Sequence, residues 1–292
     1  MHNVKDTELN IRSYKDFKDM VEAYEEIAAR RMRKVKDTVL KDREFFKGLS
    51  DVFRFVRHSY EVYLQKIRAL KSKNLYKKTN GKKVVVLLSS NIGLYGDIVF
   101  RTFKKFTDEL KNYKNADIVI IGRVGKRLFE EAKIDFEFKF FEFSDSGTDD
   151  IRLKSIIEHL LPYEEIILYH GEFENILSQK PVKTIVTGEL ESFFESKGTE
   201  SQEETGIFEP SIEEVAAFFE KESLSIIIEQ SVNESSLSKF ASRMINLDLA
   251  IANINKKVRD TSFLLKKLKH RDLNKKQLSV VSSISLWNKQ NG

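Results

Sequence analysis

The sequence of 292 residues contains no cysteine, so disulfides, thiolate metal sites and cysteine nucleophiles are excluded. Proline is also scarce, with three in the chain and none before Pro162, which favours long helices because proline breaks the helical hydrogen-bond ladder. No aliphatic run approaches the ~20 residues that span a bilayer. The first residues lack the apolar stretch of a signal peptide, so we expect neither a membrane helix nor a secretory leader.

Apolar residues near the N-terminus recur three and four positions apart from Tyr14 onward, and the pattern holds as far as Leu70. This spacing predicts one amphipathic helix of roughly 55 residues. A narrow apolar stripe does not stabilise a single helix in water, so the helix needs a partner of comparable length.

The C-terminal part of the chain supplies such a partner. Ser211 and Glu214 form an S-x-x-E capping box, which predicts the start of a helix. The same spacing of apolar residues then continues from Leu237 to Leu268. We therefore predict an antiparallel coiled coil between the two ends of the chain. The alternative is that each stripe packs in an ordinary helical bundle.

Short apolar runs separated by helical stretches occupy the middle of the chain. The runs are Val84 to Ser89, Ile118 to Ile121, Phe136 to Phe141, Ile166 to Tyr169 and Val182 to Val186. Strands that alternate with helices predict a mostly parallel sheet covered by helices. The predicted fold class is thus α/β, with a small Rossmann-like domain inserted between long terminal helices. We expect a coiled-coil helix at 1–75, an α/β domain at 82–190, an acidic linker at 191–209 and a second coiled-coil helix at 210–292.

The loop after the first predicted strand carries two glycines, Gly93 and Gly96. Their spacing is not G-x-G-x-x-G, and no G-x-x-x-x-G-K-[ST] occurs in the chain, so the sequence does not specify a phosphate cradle. We interpret the glycines as allowing a tight strand-to-helix turn. No cofactor is predicted.

Catalytic groups are not indicated either. The five histidines are scattered, and none has the spacing of a metal site. His170 ends the fourth predicted strand beside Glu172 and Glu174, a position where an α/β active site could lie, but a lone histidine there is more often structural. The pairs Asp149-Asp150 and Glu164-Glu165 are interpreted as loop and helix-start charges. We predict no catalytic residue and no metal site.

Charge is strongly banded along the chain. The segment from Arg30 to Arg43 contains seven lysines and arginines but only two aspartates, and the segment from Lys256 to Lys276 contains nine lysines and arginines but only two aspartates. The segment from Glu189 to Glu222 contains eleven glutamates but only two lysines. A single band is usually a solvated face, but two basic bands on paired helices suggest an acidic partner. Nucleic acid is less favoured than acidic protein loops, because the aromatic residues lie in the heptad stripes rather than beside the charge.

Several short motifs occur in the order of one family, the gamma subunit of rotary F-type ATP synthases. Residues 26–34, EIAARRMRK, resemble its first-helix signature, and residues 90–96, SNIGLYG, resemble its S-D-R-G-L-C-G loop. Residues 122–126, GRVGK, resemble its G-x-K-G turn, residues 208–210, FEP, its Y-E-P, and residues 241–244, ASRM, its A-A-R-M. The matches are collinear and cover nearly the whole chain.

The sequence also departs from that family. Asn91-Ile92 replaces an Asp-Arg pair, and Tyr95 replaces a small residue. The segment that corresponds to the family's C-terminal motif aligns with it in position but differs in most of its residues. The chain therefore resembles a divergent member. It could serve an accessory complex, such as a motility-linked ATPase, rather than a housekeeping synthase.

The resemblance implies a non-catalytic rotor shaft that couples ATP hydrolysis or synthesis in a hexameric head to rotation. It implies alpha- and beta-like partners that hold the catalytic sites, an epsilon-like subunit and a membrane rotor ring or other driven assembly, with no nucleic acid and no direct membrane insertion. The complex would lie peripherally on the cytoplasmic face of the cell membrane. The residues expected to contact the hexamer are Arg30, Arg31, Arg33, Lys34, Arg243, Lys269, His270, Val281, Leu286 and Trp287. Those expected at the opposite end are Gly93, Gly96 and Glu209.

Two alternatives remain open at this point. One is a self-contained α/β enzyme or ligand-binding domain whose coiled-coil arms mediate dimerisation. The other is a coiled-coil scaffold without a motor.

Overall fold

A computed structural model describes residues 3–66, 80–113, 115–145, 150–187 and 208–290, apart from the side chains of residues 220 and 284–290 and of many positions between 40 and 66. Two long helices, α1 (Val4–Lys66) and α5 (Ile212–Gln290), flank a sheet with short helices. The elements between them are β1 (Lys83–Leu88), α2 (Ile98–Leu110), β2 (Asp117–Ile121), α3 (Arg123–Glu131), β3 (Phe138–Phe141), α4 (Asp150–Leu160), β4 (Glu165–Phe173) and β5 (Gln179–Ile185). The predicted fold class is confirmed.

The five strands form one mixed sheet in the order β3-β2-β1-β4-β5. The first four are parallel, with Val84 opposite both Asp117 of β2 and Ile166 of β4. The edge strand β5 is antiparallel to β4. Residues 84–88 of β1 are buried on both faces, as expected of a central strand in a sheet with helices on each side.

Alternate residues of the strands feed two separate cores. Val84, Val86 and Leu88 pack with α4 and with residues 224–232 of α5. Val85 and Leu87 pack on the opposite face with aromatic residues of α2 and α3. Each fully buried aliphatic side chain contributes about 1.5–3 kcal/mol relative to an exposed one. The two cores hold the carboxyl ends of β1 and β4 in place beside α5.

The chain divides into two compact units. One contains residues 28–243, and the other contains residues 1–27 and 244–292. In the larger unit, Val56 of α1 packs with Ala216 of α5, and Arg31 acts electrostatically on Tyr95, whose ring contacts Phe240. Val56 lies near the end of α1 and Ala216 near the start of α5, as expected of an antiparallel arrangement within this unit. In the smaller unit, Glu8 and Lys269 form an ion pair of 2.7 Å.

The starts of both long helices show how capping sets their limits. The amide of Glu214 donates to Ser211 Oγ at 3.2 Å, which confirms one half of the predicted capping box. Helix α1 begins at Val4, within the predicted range 1–75 and ten residues before the apolar spacing begins at Tyr14. The side chain of Asn3 accepts a hydrogen bond from the Lys5 amide at 3.4 Å, and the Thr7 hydroxyl donates to the Asn3 carbonyl at 3.0 Å. Asn3 therefore acts as a cap that the apolar spacing does not reveal.

The buried stripe of α1 is narrower than the predicted one. Ala28, Met32, Val35 and Val39 are buried, whereas Phe17 and Tyr24 are about half exposed. Three of these four buried side chains are alanine or valine, whereas the larger aromatic rings lie half exposed. The division into four domains stays a prediction, and most of the expected acidic linker falls outside the described residues.

Candidate partner-binding site

The basic residues predicted on α1 lie on its exposed face. Arg30, Arg31, Arg33 and Lys34 are all exposed, whereas Met32 and Val35, between and beside them, are buried. Arg33 Nε lies 3.4 Å from the Ala29 carbonyl oxygen, a local contact that leaves its charge at the surface. The helical period therefore separates a packing face from an exposed, charged face.

Arg243 of α5 and Arg31 of α1 both influence Tyr95. The Arg243 guanidinium carbon is 5.3 Å from the centre of the Tyr95 ring, a cation–π distance, and Phe240 meets the same ring edge-on at 5.8 Å. Burial raises the pKa of Tyr95 to about 12, the charge of Asp145 acts in the same direction, and the guanidinium groups of Arg243 and Arg31 oppose it. Two predicted contact residues from different helices therefore act on one aromatic ring.

Close to Tyr95, α5 meets the carboxyl end of the sheet. We call this the helix–sheet junction and define it by Lys239, Asp145, Ser89, Asn91 and Ile92. Lys239 Nζ donates to the Ser89 carbonyl oxygen at 3.0 Å and lies 3.7 Å from Asp145 Oδ1. The Asp145 carboxylate also accepts the amides of Asn91 and Ile92, each at 2.9 Å. Burial lowers the pKa of Lys239, and the negative charge of Asp145 opposes this effect.

The sequence reasoning missed this junction. Lys239 and Asp145 are far apart in the chain, and no motif links them. One signal was available: Lys239 lies between Leu237 and Phe240, both of which belong to the predicted apolar stripe. A lysine beside a buried stripe requires an acceptor, but the sequence does not say which carboxylate provides it.

The glycine loop has the geometry of a turn. Gly96 has φ +64° and Leu94 φ +68°, so the backbone enters the left-handed region twice before α2. Gly93 is exposed, with open space around it. In doubly wound sheets, ligands bind beyond the carboxyl ends of the strands where the strand order reverses, here between β1 and β4. Lys239 and Ser238 of α5 lie at that position, against Ser89 and Gly171.

His170 has a structural role. A carbonyl can only accept, so ring Nδ1 donates to the Gly171 carbonyl at 3.2 Å, and Nε2 accepts from the Thr184 hydroxyl at 3.0 Å. Burial lowers the pKa of His170 to about 4. The ring is therefore neutral and bonded on both sides at physiological pH. Of the predicted carboxylate pairs, Glu165 forms an ion pair with Lys83, while Asp149 lies outside the described residues.

The contact residues predicted further along α5 belong to the smaller unit. Lys269 and His270 are exposed, and the Lys269–Glu8 pair is about half exposed on both sides, so its contribution to stability is small. Val281 is 62% exposed, and Leu278 and Val280 are exposed to a similar degree. The side chains of Leu286 and Trp287 lie outside the description. Glu209 is exposed just before α5 begins.

Within the described part of the chain, none of the helices combines the length and the apolar composition needed to cross a bilayer.

A protein-family model described as ATP synthase matches residues 3–282. The ATP synthase gamma chain of Caldanaerobacter subterraneus subsp. tengcongensis is 23% identical over 297 residues, covering 97% of this chain and 99% of that relative. The ATP synthase gamma chain of Histophilus somni strain 129Pt is 22% identical over 293 residues, covering 97% and 98%. The similarity is low in identity but extends over nearly the full length of both relatives.

Two solved structures share the fold. A chain in the cryo-EM structure of the central stalk and c-ring of the Tetrahymena thermophila mitochondrial ATP synthase has a TM-score of 0.54 and 18% identity, covering 79% of this chain and 99% of that chain. A chain in the Euglena gracilis mitochondrial ATP synthase, in a structure of OSCP, F1 and c-ring in rotational state 3, has a TM-score of 0.52 and 14% identity, covering 89% and 96%. At these identities the likeness concerns the fold.

Proposed function

Since the chain belongs to the ATP synthase gamma family, we propose that it is the central rotor shaft of an F-type or F-type-like rotary ATPase. The observation that carries this proposal is the match to gamma chains over nearly the full length of both proteins, in a chain whose two long helices flank a five-stranded sheet in sequence. In this role the chain performs no chemistry. It couples nucleotide state in partner chains to its own rotation.

The first partners are alpha- and beta-like chains that form a hexamer and hold the catalytic sites. Arg30, Arg31, Arg33 and Lys34 on α1, with Arg243 on α5, would face acidic loops of that hexamer. Exposed ion pairs are each worth ~0.2–1 kcal/mol. Ion pairs of that strength suit a rotor, because its contacts with one hexamer subunit must break and form again with the next subunit at each step. A strong pair would hold the rotor in one position. Coupling between rotation and nucleotide state is then a difference in contact free energy among rotor angles.

The C-terminal part of α5 is proposed to sit in an apolar sleeve of the hexamer as a bearing. Every described residue from Lys269 to Ser283 is exposed, including the apolar Leu273, Leu278, Val280 and Val281. A helix whose apolar side chains are unburied is marginally stable in water. A surrounding partner would bury these side chains and stabilise the helix. Leu286 and Trp287 continue the same segment in sequence, and Lys269 and His270 would contact the head below it.

The sheet and its loops, with Gly93, Gly96 and Glu209, are assigned to the opposite end of the shaft. There they would meet a membrane rotor ring or another driven assembly, and an epsilon-like subunit. The Tetrahymena thermophila neighbour comes from a structure of a central stalk with a c-ring, which supports this assignment. The chain would then be peripheral at the cytoplasmic face of the cell membrane. An accessory, motility-linked complex remains a prediction based on the sequence departures.

The alternative of an α/β enzyme with dimerisation arms is less favoured. It leaves the full-length match to gamma chains unexplained, and the crevice where the sheet would bind a ligand is filled by α5.

Co-purification tests the proposal. The tagged chain, expressed in its native cell, should bring down two larger ATPase chains in excess over itself, and the purified complex should hydrolyse ATP while the isolated chain does not. Cells that express the untagged chain, taken through the same purification, are the control for specific assembly. A stable homodimer of the isolated chain, or hydrolysis by it, would instead support the enzyme alternative.

A further inference from the structure

One stretch of α5 is buried on all sides although it is largely polar. Residues 231–242 are all buried, yet the stretch contains Ser231, Asn233, Glu234, Ser235, Ser236, Ser238, Lys239 and Ser242. Serines at 235, 238 and 242 repeat at helical spacing, so a shift of α5 by one turn would place one small hydroxyl where another had been. Such a surface packs well but specifies its register weakly.

Lys239 is the one long cationic side chain in this buried stretch. Its side chain is 9% exposed, and its ammonium contacts the Ser89 carbonyl and the Asp145 carboxylate, whose side chain is 5% exposed. Moving α5 by one turn would withdraw the ammonium from both acceptors and leave two charges buried without their partner. A buried charge that loses its partner is strongly destabilising, whereas the intact pair adds little net stability. The pair therefore discriminates between registers more than it stabilises the fold.

The acceptors of Lys239 join three loops at the carboxyl end of the sheet. Asp145 follows β3 and accepts the amides of Asn91 and Ile92, which follow β1. Asn91 in turn donates through Nδ2 to the Phe143 carbonyl at 2.6 Å and accepts the Arg123 amide, which opens α3, at 3.1 Å. A constraint on Lys239 is thus a constraint on the loops that follow β1, β2 and β3.

We propose that Lys239, through its bonds to Ser89 and Asp145, fixes the register of α5 against the sheet at the helix–sheet junction. It occupies the crevice in which other doubly wound sheets bind a ligand. Resting on the proposed function, Lys239 is then the positioning residue that makes the sheet turn with α5. The Lys239–Asp145 pair thus selects one register between the serine-rich face of α5 and the carboxyl end of the sheet.

Disulfide trapping in the isolated full-length chain tests the register directly, because the chain has no native cysteine. A Cβ added at Gly171 would lie 3.3 Å from Ser238 Cβ, close to the separation in a disulfide. Gly171→Cys with Ser238→Cys reports the native register. Gly171→Cys with Ser235→Cys or with Ser242→Cys reports shifts of about one turn. The initial rate of cross-linking is compared among the three pairs.

The informative background is the double variant Lys239→Met/Asp145→Asn, which removes both charges and leaves no unpaired ion. We expect its urea midpoint to stay near that of the parent, while the preference for cross-linking at 238 over 235 and 242 falls by about tenfold or more. Hydrogen exchange at the Arg123 amide, which bonds to Asn91 and not to Asp145, should quicken in parallel; this readout needs no cysteine if crowding by Ile98 impairs the Gly171→Cys variants. Lys221→Met, at an exposed position of α5, should change neither quantity.

Retention of the 238 preference and of slow exchange in a stable double variant would overturn the proposal, because packing alone would then fix the register. The motor role is tested separately with a bead attached at Lys104→Cys in the assembled complex. The distribution of bead angles at each pause during ATP hydrolysis should be wider in the double variant than in the parent. An unchanged distribution would contradict the positioning role of Lys239. If the parent chain does not assemble with ATPase chains, the proposed function fails, while cross-linking in the isolated chain still decides the register.

Discussion

Tyr95 provides a quantitative test of how α5 is held beside the sheet, because its ring and its hydroxyl have different environments. The ring is 2% exposed and contacts both Phe240 and the Arg243 guanidinium, whereas the hydroxyl makes no hydrogen bond within the described residues. Removing the hydroxyl alone should therefore cost little, and removing the ring should cost much more.

The magnitudes follow from these contacts. Tyr95→Phe keeps the ring and should change the free energy of unfolding by less than about 0.5 kcal/mol. Tyr95→Leu keeps much of the volume but loses the aromatic pair and the cation–π contact, together about 1–3 kcal/mol. Tyr95→Ala also opens a cavity and should cost about 3–5 kcal/mol.

Urea unfolding followed by circular dichroism measures these differences, and Tyr163→Phe is the matched control. The Tyr163 hydroxyl donates to the carboxylate oxygen Oδ2 of Asp117 at 2.8 Å, so the same substitution there removes a hydrogen bond to a charged group and should cost about 1.5–3 kcal/mol. A loss at Tyr95→Phe equal to that at Tyr163→Phe would refute the reasoning. So would a Tyr95→Leu variant as stable as the parent.

Three further predictions concern acid stability, the bearing and the charged surface. Burial lowers the pKa of His170 to about 4 from its ordinary 6.5, so the unfolded chain binds a proton at higher pH than the folded chain does. About 3 kcal/mol of stability that is present above pH 6.5 should therefore be lost as the pH falls through 4. Urea midpoints measured at pH 7, 5 and 4 should fall less steeply for His170→Gln than for the parent, and equal slopes would contradict this prediction. Truncation of residues 278–292 should leave the urea midpoint of the isolated chain unchanged but weaken coupling in the complex, as should Ser at Leu278, Val280 and Val281 in the full chain; loss of folded protein would instead place the segment in a core. Charge reversal at Arg30, Arg31, Arg33 and Arg243 should slow rotation-linked ATP hydrolysis severalfold and more so at low salt, because screening weakens exposed pairs, whereas reversal of the exposed Lys104 should have no effect.

The sequence predicted those features of the fold that follow from local periodicity. Spacing of apolar residues found both long helices, and alternating runs found the strands, because burial of one face or of both leaves a repeating trace in the chain. The order of short motifs found the family. Capping by Asn3 was missed, since a single polar residue before a weak stripe carries no repeat.

The helix–sheet junction escaped prediction for a different reason. Lys239 and Asp145 meet only because the sheet order brings the end of β3 near α5, and neither residue belongs to a motif. Phe17 and Tyr24 match the heptad pattern yet stay half exposed, whereas smaller neighbours such as Val21 and Ala28 are buried. Periodicity identifies the face of a helix, whereas side-chain size decides which members of that face make contact.

Whether the chain rotates within its complex can be observed on single molecules. The hexamer is fixed to a surface, a probe is attached at Lys104→Cys, and the probe angle is followed as ATP is added. We expect continuous rotation in one direction while ATP is hydrolysed, and arrest of both rotation and hydrolysis when a reversible disulfide ties α5 to one hexamer chain. A probe that stays at a fixed angle while hydrolysis proceeds, or hydrolysis that continues unchanged with the tether in place, would contradict the proposed function.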